Sequence, residues 1–224
     1  MPEPPTETPT RPIPPPAAPP VRTPALAAAV FFASGASLVV HILTDAALPA
    51  VLAGLLVGGT VLFVRATADP AVRARVVPLL RAGVVAGLVS TVVYDLSRWV
   101  LTSVFHMRVS PFAALPLFGN ALVGARPHSP ASWVAGVAFH LTNGICFGIG
   151  YTVLAGRRHV AWAVAFGLGL EASMLALYPQ WMQIPAFAEF TQMSVVGHVA
   201  YGLSLGLVTN ALLPAPPPAG GAAP

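Results

Sequence analysis

Six apolar stretches, at about 25–44, 46–65, 79–103, 131–155, 159–178 and 194–213, fill most of this chain, and hardly any charge interrupts them. Each is near the roughly 20 residues that carry an α-helix across a bilayer. Such a pattern leaves few folds open, because in hydrocarbon every backbone N–H and C=O must be paired within the chain. Charged residues make up 8% of the sequence and hydrophobic ones 56%, whereas an ordinary soluble domain carries about 25% charge. The expected fold is therefore an all-α integral membrane protein, a six-transmembrane-helix bundle over residues 25–213.

The flanks have a different composition. Residues 1–24 are Pro-rich with almost no large apolar side chains, and 214–224 are again Pro, Ala and Gly. Segments that bury so little cannot offset their ordering entropy, so both are expected to be disordered tails. A cleaved signal with Leu26 to Ala33 as its apolar core and Ala36 near the cut is an alternative for the first stretch, against which the long Pro-rich leader counts. Asp45 with Pro49, and Asp69-Pro70 with Arg73 and Arg75, mark the first two connections, while Pro111, Pro116, Pro127 and Pro130 punctuate 104–130.

The net charge of +4 comes from eleven Arg and no Lys against seven acids. Placing the N-terminus inside collects Arg11, Arg22, Arg65, Arg73, Arg75, Arg81, Arg157 and Arg158 in cytoplasmic segments, and leaves Arg108 and Arg126 outside. That asymmetry sets an orientation with both termini cytoplasmic. The basic balance is not read as nucleic-acid binding, since no extramembrane region is large enough to present a basic face. The single cysteine, Cys146, excludes an internal disulfide and a Cys-based zinc cage, and reads as a packing thiol.

One motif occurs twice: His140-x3-Gly144-x3-Gly148 and His198-x3-Gly202-x3-Gly206. An imidazole inside a membrane span is expensive unless it has a partner or a task. Asp95 and Glu171 occupy the other two spans of the same half. Counted from the outer ends at about 1.5 Å per residue, Asp95 lies roughly 12 Å deep, His140 roughly 13 Å, Glu171 roughly 10 Å and His198 roughly 6 Å. His41 ends the first span near that layer, either joining the group or sitting at the interface. Small residues recur every four positions beside each group: Gly83, Gly87 and Thr91 before Asp95, Gly136 before His140, Ala163 and Gly167 before Glu171. These are close-packing faces, so the polar groups point into the bundle. Simple helix seams, with each histidine bonded to a carbonyl, are the plainer reading of the same spacing.

Several chemistries fit these residues. Arg98, three residues after Asp95, is its expected ion-pair partner. His140, His198 and Glu171, with Asp95 as a fourth ligand or an orienting group, suit zinc or non-haem iron, and Asn143 and Tyr201 are placed to supply outer hydrogen bonds. Two histidines on separate helices also allow a haem sandwich. Catalytic candidates are Glu171, Asp95 and Arg98. No local metal-binding spacing is present, so the metal reading rests on convergence alone. A proton relay or cation site in a small proton-coupled transporter uses the same groups, but the spans lack the Pro breaks that open a midplane site.

The connections 110–124 and 180–190 mix Pro with Phe112, Phe118, Trp181, Met182 and Phe187. They either anchor the bundle at headgroup level or fold over a cavity open to a lipid-like ligand, with Glu189 and Gln192 near its rim. The strings FHLTNGICFGIGY and GHVAYGLSLGLV resemble segments of uncharacterised small bacterial multi-pass membrane families, mainly across 79–213. The resemblance implies a helical bundle in a bacterial cytoplasmic membrane and no activity. The functional expectation is an outer-leaflet pocket for a metal or a lipid-like ligand in a membrane protein or membrane enzyme, with a transporter or a structural subunit of a complex as alternatives.

Overall fold

The computed structural model describes residues 22–126, 128–184 and 186–215. The expected tails fall outside these residues apart from 22–24 and 214–215. Every regular element among the described residues is helical: α1 (Arg22–Ala28), a 3₁₀ turn (Ala29–Phe32), α2 (Ala33–Thr44), α3 (Leu48–Ala66), α4 (Pro70–Val104), α5 (Ala114–Val123), α6 (Pro130–Ala155), α7 (Val160–Met182) and α8 (Phe187–Leu212). Six segments are long and apolar enough to cross a membrane: Ala25–Thr44, α3, α4, α6, α7 and α8.

Three boundaries differ from the sequence expectation. The helix expected from residue 79 begins at Pro70, where Asp69 Oδ1 accepts the Ala71 amide at 2.7 Å and Pro70 takes the first turn, so the missing amide costs nothing there. Pro78 lies inside α4 without ending it. The 104–130 connection contains α5, which ends at Gly124 in the left-handed conformation. The last helix starts at Phe187 and not at 194, because α7 runs through Pro179 to Met182 and leaves only a short turn.

Two glycine seams hold the bundle together. On α4 and α6, a Cβ added at Gly83 would sit 2.5 Å from Ile149 Cα and one at Gly87 would sit 2.8 Å from Ile145 Cα, while one at Gly148 would strike the Gly87 backbone. On α7 and α8, a Cβ at Gly202 would lie 2.6 Å from the Ala163 carbonyl and one at Gly206 would lie 3.1 Å from Ala163 Cβ. Both seams belong to the repeated motif, and glycine lets the backbones approach closely enough for dispersion to hold them without help from water. Tyr94, Tyr151, Tyr201 and Leu205 form the central packing between the two pairs. At one end, Ile149 and Val153 pack with Phe63, Leu79 and Leu80, and the nearby helix ends and turns carry Arg65, Arg73, Arg75, Arg157 and Arg158. At the other end, α5 presses Leu115 and Phe118 onto Phe139, and Phe118 stacks on Trp181 with ring centroids 6.0 Å apart.

Candidate functional site

The four ionisable groups of the motif helices form two pairs. In the α4–α6 pair, His140 Nε2 faces both oxygens of Asp95 at 3.0 Å. In the α7–α8 pair, His198 Nδ1 lies 2.7 Å from Glu171 Oε2, and the same oxygen accepts from Ser194 Oγ at 2.7 Å. His198 Nδ1 is hydrogen-bonded to the Ser194 carbonyl at 3.1 Å, so it meets Glu171 at ion-pair distance while bonding its own helix. Each motif histidine thus meets the carboxylate of the helix against which its own glycines pack. Each keeps its second ring nitrogen without a hydrogen bond among the described residues.

Tyr94 stands between the pairs. Its ring is edge-on to His198, centroids 4.9 Å apart, and tilted against His140 at 6.0 Å. Arg98, one turn further along α4, holds its guanidinium carbon 4.7 Å from the centre of the same ring. Its aliphatic stem runs over Gly197 of α8, where an added Cβ would be 2.9 Å from Arg98 Cγ and Cδ.

The expected Asp95–Arg98 ion pair does not form. Residues three apart on a helix point about 60° from one another, and α4 has a different neighbour on each side. Asp95 turns to α6 and meets His140; Arg98 turns to α8 and lies over Tyr94. Arg98 is 7% exposed, and among the described residues no acid comes within 4.0 Å of it. Its Nε is buried with no hydrogen-bond partner, as is Glu171 Oε1.

Asn143 and Tyr201 also turn away from the histidines expected to be their partners. Ser34 Oγ donates to Asn143 Oδ1 at 2.6 Å, and the Tyr201 hydroxyl donates to the Gly144 carbonyl at 2.9 Å. Both therefore tie helices together. His41 faces the Ala46 carbonyl at 2.8 Å and packs edge-on to Trp181, apart from the central group. Among the described residues no three His, Cys, Asp or Glu side chains form a group that could hold a metal ion. Cys146 is free and half-buried.

A cavity of about 290 Å³ opens beside these residues, between α2, α4, α6, α7 and α8 and beneath α5. Val39, Phe147, Leu170, Met174 and Leu177 are among the apolar side chains on its wall. His140, His198, Tyr94 and Arg98 all reach it, whereas Asp95 and Glu171 stand behind their histidines and do not line it. Leu115 and Phe118 of α5, with Met182 and Phe190, line the end where the connections were expected to anchor or to cover. Near that end Glu189 accepts from the Arg108 amide at 2.6 Å and from Arg108 Nε at 3.3 Å, tying α8 to the segment before α5. A pocket was expected from the polar groups and the two connections, but local spacing did not give its wall, which is drawn from helices scattered through the chain.

Among known proteins, the model of a family described as a family of unknown function (DUF6789) matches residues 77–219. That range takes in both pairs, Tyr94 and Arg98. It bears out the resemblance to an uncharacterised family. No curated protein and no solved structure matches the chain.

Proposed function

Because the chain belongs to DUF6789, a family of unknown function, we propose from its own geometry that it is a six-span membrane protein binding a lipid-like amphiphile in its central cavity. The observation that carries this reading is the cavity itself, apolar along most of its wall and polar at one cluster. Ligand sites have this composition, and about 290 Å³ is near the lower limit of their usual size. The pairing of the four ionisable groups into two dyads favours this over a shared metal site.

The membrane setting draws on the outward faces. Leu56, Val57 and Val64 on α3, Val92 and Leu96 on α4, and Leu203 and Leu207 on α8 are exposed large apolar side chains. A surface of that kind suits lipid tails and not water. Trp99 and Trp162 are also exposed, toward opposite ends of the bundle, as aromatic belts at two interfaces require. The Arg-rich turns then face the cytoplasm of a bacterial cell, both termini lie on that side, and the covered end of the cavity lies in the outer leaflet of the cytoplasmic membrane. α4, with 35 residues, is about 52 Å long and outreaches the roughly 30 Å hydrocarbon, so its Arg73 and Arg75 end projects at the inner headgroups. The apolar packing of Ile149, Val153, Phe63 and Leu80 beyond the cavity favours binding over passage through the bundle.

The test is extraction of the purified protein in polymer-bounded native discs, with mass spectrometry of the released lipids. One amphiphile enriched over the surrounding bilayer is expected in the wild type and lost in Leu170→Trp, which fills the cavity. Bulk lipid ratios in both proteins would contradict the reading.

A further inference from the structure

We infer that the head of the bound amphiphile is an oxyanion, a carboxylate or a phosphate, held by Arg98. This deepens the amphiphile reading above and rests on it. Three observations converge on Arg98. It is the buried cation of the cavity wall, 7% exposed, and its Nε has no hydrogen-bond partner. Asp95 is engaged by His140 through both oxygens and Glu171 by His198 and Ser194 through Oε2, its Oε1 remaining unpartnered, and neither acid comes within 4.0 Å of Arg98. Its position is fixed from both sides, by the Tyr94 ring beneath the guanidinium and by the Gly197 backbone along the stem.

An arginine inside a bilayer is costly, and those that persist face an interior cavity and pair with something. No acidic side chain among the described residues plays that part. A guanidinium presents its N–H groups as a flat fork that matches the two oxygens of a carboxylate or phosphate. The cation–π contact with Tyr94 steadies the cation but leaves the edge of the fork unused. His140 and His198 flank Tyr94, and each carries a ring nitrogen with no bond among the described residues, so the head meets further polar groups beside the arginine. The apolar wall of Val39, Leu170, Met174 and Leu177 takes the tail.

The experiment measures binding of three single-tailed probes of equal length, dodecanoate, dodecyl phosphate and dodecanol, to the full chain in detergent by native mass spectrometry. One charge-assisted bidentate contact in a desolvated site should favour an anionic probe over dodecanol by about tenfold or more. Comparing dodecanoate with dodecyl phosphate shows which oxyanion fits. Arg98→Gln should erase the preference while dodecanol still binds, and Arg98→Lys should keep only part of it. Equal binding of acid and alcohol by the wild type, or a preference that survives Arg98→Gln, overturns the inference and leaves the amphiphile reading standing. Failure of all three probes to bind, with the protein folded, overturns the amphiphile reading itself. The wild-type comparison decides the matter even where Arg98→Gln does not fold.

Discussion

The Asp95–His140 and Glu171–His198 pairs are built on the same plan and differ in their burial. Each sits one turn above a small-residue seam, with the acid on one helix and the histidine at the head of a His-x3-Gly-x3-Gly run on its partner. In the first pair the side chains are 23% and 17% exposed for acid and histidine; in the second, 3% and 11%. Only the second recruits an extra donor, Ser194. Deeper burial favours the extra donor on Glu171 Oε2, although its Oε1 stays without a partner, whereas both Asp95 oxygens meet His140. Tyr94 and Arg98 belong to the helix shared by both neighbours, so the cavity lies between a deeply buried pair and a less buried one.

The comparison breaks first at the histidines. His198→Ala leaves a buried carboxylate without its partner and should cost about 3–5 kcal/mol of stability. His140→Ala, whose acid is less deeply buried, should cost less, roughly 1 kcal/mol. Unfolding in mixed SDS micelles reads both, and equal losses would remove the distinction. The seams come next. Gly148→Ala drives a methyl group onto the Gly87 backbone, which has nowhere to retreat, and should cost about 3 kcal/mol. Gly206→Ala meets Val160 and Ala163 side chains at 3.0 to 3.1 Å and should cost about 1 kcal/mol. The smallest effect falls on Ser194→Ala, about 0.6 kcal/mol, the usual size of one hydrogen bond between membrane helices.

Much of this arrangement was legible in the chain. The six apolar stretches became six long helices, and the four-residue spacing of Gly, Ala and Thr correctly turned Asp95, His140, Glu171 and His198 inward. Partner choice was not legible. Asp95 has Arg98 three residues away and His140 forty-five residues away, yet it takes the distant one, because local spacing gives the angle between two side chains and says nothing of which helix lies beside each. The start of α4 was hidden for a similar reason. Pro70 and Pro78 both signal breaks in sequence, but a proline in the first turn is compatible with a helix and Pro78 forfeits only one bond within a long element. A pocket was expected, but its apolar wall was the least visible feature, since it joins residues from Phe32 to Tyr201.

The central claim is that the four groups act as two separate pairs around Tyr94 and not as one cluster. Double-mutant cycles of the unfolding free energy test it directly, using Asp95→Asn, His140→Gln, Glu171→Gln and His198→Gln in all combinations. Within a pair the coupling should be about 1–3 kcal/mol, and across pairs below about 0.5 kcal/mol. Couplings between Asp95 and His198, or between Glu171 and His140, as large as those within the pairs would contradict the account and restore a single shared site.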